Sequence, residues 1–313
     1  MFTHGPVFSN RLGLSIGVQN TQAKYCSYSC TYCQLGVKVS NTILRQKFYN
    51  PKDLVREIEE KLNIHRGLGG EVDYVAFVPD GEPTLDLNLA KVSEMVKKFG
   101  VKIAITTNAS LLDDKDVWSA LMHFDLVSIK VDAVYFDLWK KLNAPFPSMN
   151  FAQILNTIKL FSKEYRGKLV TESMLVSRVN DGEAHLFDLA NFIGNLKPAV
   201  AYLSTPTRHP ADSDIRPVTN SILYYTRRVF KEKIPKVEIL MGYEDHRFVL
   251  SGNLENDLLN FISAQPMRRE DILEFLYRAK ADSSFLDGLI DDGKLVASPS
   301  RSGDYFMRKD QQQ

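Results

Sequence analysis

The sequence predicts an α/β protein: a parallel sheet flanked by helices, followed by a small C-terminal domain. Short β-branched apolar runs alternate with stretches of helical period, and this rhythm changes after about Leu203. The chain has 313 residues, which suits one large domain plus a small one. The strand–helix units can form an open, incomplete barrel or a doubly wound sheet. In both, the chemistry lies at the carboxyl ends of the strands.

Six strands are predicted, each with a turn signal after it. The first helix begins at Pro51, which suits a first helical turn, and its Leu54, Ile58 and Leu62 share one face. Helices are also predicted between the later strands. The predicted strands are residues 12–18, 73–78, 102–107, 126–131, 169–176 and 199–204.

The last hundred residues follow a different pattern. A polar loop with three prolines ends the first region, and a helix and a further strand are predicted within 216–254. From about Glu255 the pattern becomes helix, helix and a short β-ribbon after Gly293, which resembles a winged helix. We therefore predict three parts: 1–215, 216–254 and 255–313.

The charge of this C-terminal part bears on its partners. The last helix of the predicted winged-helix-like domain, SSFLDGLIDDG, is its candidate recognition helix and carries Asp287, Asp291 and Asp292, which would repel phosphates. Contact with protein, or capping of the barrel, is therefore favoured over nucleic-acid binding.

Overall composition excludes several classes of protein. Hydrophobic residues make up 44% of the chain, which is enough for a core and excludes general disorder. The 39 basic and 38 acidic residues give a net charge of +1, so bulk charge does not favour coating of nucleic acid. No apolar run spans a membrane and the N-terminus does not resemble a secretory signal, so we expect a cytoplasmic protein without membrane contact.

All three cysteines, Cys26, Cys30 and Cys33, fall within eight residues. An odd number argues against a disulfide framework. A structural zinc site takes four ligands, usually in two pairs, and the second pair is missing here. Three thiolates can hold three irons of a [4Fe–4S] cluster and leave the fourth open to a small ligand. The stoichiometry thus favours iron–sulfur over zinc.

The cysteine spacing, with Tyr32 as the aromatic position, resembles the hallmark of the radical S-adenosylmethionine (SAM) superfamily. The segments GPVFSNRLGLSIG, YCSYSCTYCQLG, FVPDGEPTLD, TTNASLL and STPTRHPAD are similar to the iron–sulfur oxidoreductase branch related to wyosine-type tRNA-modifying enzymes. This resemblance implies a partial (β/α)6 barrel and a [4Fe–4S] cluster on Cys26, Cys30 and Cys33. It also implies that SAM binds the open iron and is cleaved to a 5′-deoxyadenosyl radical. An external electron donor such as a flavodoxin or ferredoxin would reduce the cluster.

The resemblance also implies cofactor-binding positions near the strand ends. The turn after the second strand would contact the SAM amino group, and small polar residues on later strands would contact its carboxylate, ribose or adenosine. The candidate positions are Tyr32, Gly81, Glu82, Pro83, Thr107, Asn108, Ser128 and Ser173. For the fifth strand it stays open whether Glu172, Ser173 or Met174 points inward.

The candidates for catalysis are Lys130, Asp132 and Arg208. Lys130 and Asp132 alternate with Ser128 on the fourth strand, so the three side chains share one face, where polar groups would be costly in a dry core. Lys130 and Asp132 can pair with each other or meet the substrate. Arg208, after the sixth strand, can meet an anionic substrate.

The substrate is the least constrained part of the prediction. Wyosine-type enzymes carry cysteines for an auxiliary cluster, and this chain has none beyond Cys33. The substrate is therefore unidentified, with tRNA as a candidate that would contact a local basic edge such as Lys140, Lys141, Arg227 and Arg228. The alternative is a non-enzymatic metal or redox sensor with a winged-helix output.

Overall fold

The computed structural model describes residues 2–33, 35, 40–207, 212, 214–240, 253–264, 267–298 and 304–309. The strands are β1 (Thr3–Ser9), β2 (Gly13–Val18), β3 (Tyr25–Cys26), β4 (Ser40–Asn41), β5 (Tyr74–Phe77), β6 (Lys102–Thr107), β7 (Leu126–Lys130), β8 (Lys168–Met174), β9 (Val200–Ser204), β10 (Val237–Leu240), β11 (Met267–Arg268), β12 (Leu295–Ser298) and β13 (Tyr305–Arg308). The helices are α1 (Pro51–Gly67), α2 (Leu89–Lys97), α3 (Lys115–Leu121), α4 (Phe136–Asn143), α5 (Phe151–Glu164), α6 (Glu183–Leu196), α7 (Asn220–Lys231), α8 (Leu254–Ala264), α9 (Arg269–Arg278) and α10 (Ser284–Asp291).

The main sheet has eight strands in the order β1-β2-β5-β6-β7-β8-β9-β10. Neighbouring strands from β6 to β10 run parallel, with helices between them in the chain. The six strands predicted from the sequence are all present, and the further strand expected within 216–254 is β10. The α/β class is confirmed. β1, which pairs with β2 in antiparallel fashion, is not predicted from the sequence.

The register of the parallel strands determines which side chains share a face. Ser128 lies opposite Thr106 and Val170, and Lys130 lies opposite Glu172. Because side chains alternate along a strand, these residues share one face of the sheet. Val127 and Ile129 take the other face and are fully buried. The central strands therefore bury an apolar face and keep a largely polar face for the site.

The chain divides into two compact units. One comprises Gln19–Arg56 and Ala76–Glu244, and the other comprises Met1–Val18, Glu57–Val75 and Asp245–Gln313. This grouping joins N-terminal and C-terminal segments in one unit. The division into 1–215, 216–254 and 255–313 stays a prediction.

The C-terminal part has a small core of its own, formed among others by Leu258, Ile262, Phe275, Leu286 and Leu295. It contains α8, α9, α10 and a three-stranded sheet in the order β11-β13-β12. The predicted helices and ribbon are present, together with the short strand β11. The interpretation of this order as a winged helix stays a prediction.

Two side chains of helix α1, Glu57 and Lys61, hold the N-terminal strand β1; all of these residues belong to the unit that contains Met1–Val18. The carboxylate of Glu57 accepts hydrogen bonds from the backbone N–H groups of Phe2 and Thr3, each at 2.9 Å. Lys61 Nζ donates to the carbonyl oxygens of Thr3 at 3.1 Å and Gly5 at 3.3 Å. Between these bonds His4 is buried, and its burial, assisted by the charge of Lys61, lowers the pKa of the imidazole to about 4.

The buried His4 should make stability depend on pH. Its pKa in the fold lies below the unfolded value of 6.5, so the unfolded chain binds more protons between these two pH values. Stability is full above about pH 6.5 and is lost as the pH falls toward about 4, by at most roughly 3 kcal/mol. We expect His4→Gln to reduce the difference between the free energies of unfolding measured at pH 7 and pH 5. The control is His123→Gln, since the His123 side chain is 40% exposed. An unchanged difference in His4→Gln would contradict this assignment.

Candidate active site

The three cysteines lie on one loop that begins at the end of β3. All three are free thiols and half-buried. The backbone N–H of Cys33 donates to the carbonyl of Cys30 at 2.9 Å, and the N–H of Thr42 donates to the carbonyl of Cys26 at 2.9 Å. The chain itself therefore holds the loop in a defined shape.

The C-terminal end of α4 supports this loop. Its last carbonyls accept from the loop: Ser29 N–H donates to Asn143 O at 3.1 Å, and Thr31 N–H donates to Leu142 O at 2.9 Å. Tyr28 is buried edge-on against Trp139, whose indole N–H donates to the Tyr28 hydroxyl at 3.2 Å. The loop thus satisfies carbonyls that would otherwise lack partners at a helix end.

The thiols influence one another electrostatically. Burial raises the pKa of Cys26, and the nearby charges of Glu82, Cys30 and Cys33 raise it further. Burial also raises the pKa of Cys30 to about 12, opposed in part by a hydrogen bond from Asn143. Among the described residues, no group of three or more His, Cys, Asp or Glu side chains is arranged around a single metal ion.

Amide groups approach two of the sulfurs. Asn143 Nδ2 lies 3.4 Å from Cys30 Sγ, and Asn108 Nδ2 lies 3.8 Å from Cys26 Sγ. N–H donors beside cysteine sulfurs are typical of iron–sulfur sites, where they tune the cluster. The donor set of three thiols on one loop, two of them with an N–H group beside the sulfur, therefore fits a cluster.

The turn after β5 is fastened to the cysteine loop by Glu82. The backbone N–H of Glu82 donates to the carbonyl of Tyr25 at 2.9 Å, directly before Cys26. Its buried carboxylate accepts from the hydroxyls of Thr84 and Thr107, each at 2.6 Å, and from the N–H of Asn108 at 2.9 Å. Burial raises the pKa of Glu82, and these hydrogen bonds oppose the rise.

The predicted positions Gly81, Glu82, Pro83, Thr107 and Asn108 are therefore brought together at one edge of the sheet. Pro83 begins a short 3-10 turn, Pro83–Leu85. The side chain of Thr107 is used to hold Glu82, and that of Asn108 donates to Ser27 Oγ at 2.9 Å. These side chains build the edge.

The polar face of the central strands also meets the loop. Lys130 Nζ lies 3.7 Å from Glu172 Oε1 and 5.1 Å from the centre of the Tyr32 ring. Lys130 thus pairs with Glu172. Strand register explains this pair, because Lys130 and Glu172 lie directly opposite each other.

Asp132 follows β7 and has partners of its own. Its carboxylate accepts from the Tyr32 hydroxyl, from Asn143 Nδ2 at 2.8 Å and from the backbone N–H of Met174 at 2.8 Å. Asp132 therefore connects the cysteine loop with the end of β8.

Three further predictions have different outcomes. Ser128 lies on the same face as Lys130, and its buried hydroxyl has no hydrogen-bond partner among the described residues. Ser173 points to the opposite face, and its hydroxyl donates to the carbonyl of Val131 at 2.6 Å, between Lys130 and Asp132 in the chain. Glu172 and Met174, two residues apart on β8, share the face of Lys130. Arg208 lies outside the described residues.

Two further residues, Asn143 and His185, support this edge of the sheet. His185 on α6 is buried, and burial lowers the pKa of its ring. Its Nε2 accepts from Val134 N–H at 3.3 Å, so Nδ1 carries the proton and donates to Asn180 O at 2.8 Å. Asn180 Nδ2 in turn donates to the carbonyl of Asp132 at 2.8 Å. Asn143 is 113 residues from Cys30 in the chain, and no local pattern indicates their contact.

Known proteins share this architecture. A radical SAM methyltransferase from Sphaerobacter thermophilus has a TM-score of 0.55 at 14% identity, with 74% of this chain and 67% of that chain covered. The structure of TYW1 with a lysine-pyruvate adduct bound has a TM-score of 0.54 at 17% identity, with 70% and 74% covered. These similarities concern the fold, and they confirm the predicted partial barrel.

The sequence comparisons extend over nearly the whole chain. The UPF0026 protein MJ1312 of Methanocaldococcus jannaschii is 38% identical over 307 residues, which cover 97% of this chain and 95% of that protein. The family model of the radical SAM superfamily matches residues 23–190, which include the cysteine loop and the strands around it. The chain therefore belongs to the radical SAM superfamily and, within it, to the UPF0026 proteins.

Proposed function

We propose that this protein is a radical SAM enzyme that holds one [4Fe–4S] cluster through Cys26, Cys30 and Cys33. When bound, the cluster and SAM supply a 5′-deoxyadenosyl radical, which abstracts hydrogen from a substrate. The observation that carries the proposal is the group of three free, half-buried thiols on a loop with N–H donors beside two sulfurs. Membership of a superfamily of SAM-cleaving enzymes supports it.

The chain's own residues prepare the edge beside the cysteines for SAM. Glu82 holds the Gly81–Pro83 turn against β3, and Thr107 and Asn108 hold Glu82. Backbone groups of this turn can then contact the amino group of SAM, with Tyr32 alongside. The unpartnered hydroxyl of Ser128 can hydrogen-bond the ribose, because a buried hydroxyl without a partner is costly unless a ligand satisfies it. The hydroxyl of Ser173 donates to Val131 O and supports the segment that follows β7.

We propose that Lys130 meets SAM or substrate, and that Asp132, the second candidate, acts by orienting the cysteine loop. Lys130 is held between Glu172 and the Tyr32 ring, so its ammonium group has a fixed position near the loop. Asp132 is fully engaged by three donors and therefore orients the loop. Arg208 remains a candidate for an anionic substrate.

The substrate and the electron donor are proposed by class. A one-electron donor such as a flavodoxin or ferredoxin would reduce the cluster, and tRNA is a candidate substrate beside small metabolites. A non-enzymatic sensor would differ from the proposed enzyme in one measurable property, because it would form no 5′-deoxyadenosine. To separate the substrate classes, the yield of 5′-deoxyadenosine is measured once with total tRNA added and once with a pool of small metabolites added.

Cysteine replacement tests the proposed function. Anaerobic reconstitution of the full chain should give about four irons. Replacing Cys26, Cys30 or Cys33 with Ala should abolish cluster retention and lower 5′-deoxyadenosine formation under strong reductant on the order of 100-fold or more, since even outer partners of metal ligands are worth 10–100-fold. Circular dichroism should show an intact fold. Stoichiometric zinc without iron in the wild type, or SAM cleavage retained in a variant, would refute the assignment.

Replacing Gly81 tests the close approach of the turn to β3. A Cβ atom at Gly81 would lie 2.2 Å from the carbonyl oxygen of Tyr25, a backbone atom that cannot easily move. We expect Gly81→Ala to lower stability by about 1–3 kcal/mol and to lower iron retention. The control is Gly288→Ala on α10, where a Cβ meets nothing within 4 Å and alanine favours the helix. Equal thermal stability and iron content in the two variants would argue against a tight contact.

Replacing Lys130 tests its role near the ligand. Lys130→Met keeps the side-chain length and removes the charge, so the iron content should stay and the affinity for SAM or the kcat/KM should fall about tenfold. Lys159→Met is the matched control, because Lys159 also lies over a ring, that of Phe192, at 5.2 Å. Equilibrium dialysis with SAM and 5′-deoxyadenosine kinetics give the two readouts. If neither changes, Lys130 has a structural role only.

A further inference from the structure

The side-chain amide of Asn143 occupies an unusual position at the cysteine loop. Asn143 is the last residue of α4 and is buried. Its Nδ2 lies 3.4 Å from Cys30 Sγ and 2.8 Å from Asp132 Oδ2. An amide NH2 group carries two hydrogens, so one can be donated to the sulfur and the other to the carboxylate.

The orientation of this amide is fixed by its surroundings. Both neighbours of Nδ2, a thiol sulfur and a carboxylate oxygen, act as acceptors, which requires the nitrogen rather than the oxygen at this place. Asp132 is itself immobilised by the N–H of Met174 and by the Tyr32 hydroxyl. The carbonyl of Asn143 also accepts from Ser29 N–H at 3.1 Å. Backbone and side chain of one residue therefore both hold the loop.

We propose that Asn143 is a positioning residue for the cluster: it donates an N–H···S hydrogen bond to the Cys30 thiolate and connects this ligand, through Asp132, to the end of β8. This inference rests on the proposed function, since it presumes the cluster. Hydrogen bonds to cysteine sulfur set the reduction potentials of iron–sulfur clusters. Because the reduced cluster carries one more negative charge, a donor at the sulfur favours the reduced state.

The second amide near a cysteine has a different role. Asn108 Nδ2 is 3.8 Å from Cys26 Sγ but 2.9 Å from Ser27 Oγ, which is the better acceptor by distance. The contact to Cys30 is the shorter of the two sulfur contacts. Asn143 is therefore the donor whose removal should affect the cluster more.

The experiment is a redox titration of the reconstituted full-length protein without SAM, followed by EPR of the reduced cluster. Asn143→Leu keeps the volume but removes the donor. We expect an unchanged iron content and a lower midpoint potential, with the reduced-to-oxidised ratio at a fixed potential falling about tenfold, which corresponds to about 59 mV for one electron. Asn143→Asp, which places a second carboxylate beside Asp132, should lower it further. The exposed Asn156→Ala on α5 is the control and should leave the potential unchanged.

The outcomes separate this inference from the proposed function. A wild type without a four-iron cluster refutes the proposed function, whereas a wild type with the cluster and an unshifted Asn143→Leu potential overturns only the role of Asn143. If Asn143→Leu does not retain iron, pulsed EPR of wild-type protein labelled with nitrogen-15 at asparagine side-chain amides decides. A nitrogen-15 coupling that survives in Asn108→Ala supports the proposal, and its absence overturns it.

Discussion

The carboxylate of Glu82 is buried, with only 2% of the residue exposed, and the geometry of the site depends on the hydrogen bonds that this carboxylate accepts. Burying an ionised carboxylate is costly unless hydrogen bonds replace water. Thr84, Thr107 and Asn108 supply them from two segments, the turn after β5 and the end of β6. Since the Glu82 backbone also donates to Tyr25, one residue fixes the distance between the cysteine loop and two strand ends.

Asp132 performs the corresponding task on the other side of the loop. It gathers donors from the loop, from the end of α4 and from β8, so the loop is held between two carboxylates that follow different strands. The backbone of Asp132 is held as well: Asn180 Nδ2 donates to the Asp132 carbonyl, and His185 Nδ1 donates to the carbonyl of Asn180. Each carboxylate satisfies several backbone or hydroxyl donors, which explains why the polar residues at this edge are tolerated in a buried position.

Much of this arrangement could be predicted from local patterns, and the remainder could not. The β-branched runs predicted β5 to β9 because such residues favour strands. The cysteine spacing, Gly81 and Glu82 indicated the site because each belongs to a short motif. β1 was missed because its segment THGPVFS contains glycine and proline, which are rare inside strands. Its start is also held by bonds to Glu57 and Lys61, which are distant in the chain. The direction in which Glu172 points and its ion pair with Lys130 depend on the strand register, which no local pattern shows. The contact between Asn143 and Cys30 joins residues that are distant in the chain.

The docking of the loop on α4 has a consequence for the entropy of assembly. In many small metal sites the unbound ligands are disordered, and metal binding must supply the free energy that orders them. Here Ser29 and Thr31 already donate to carbonyls of α4, and Tyr28 is already packed on Trp139. Fixing a residue's backbone costs about 1–2 kcal/mol, and the contacts with α4 offset part of that cost for this loop. For the proposed cluster, these contacts would lower the part of the binding free energy that is used to order the polypeptide.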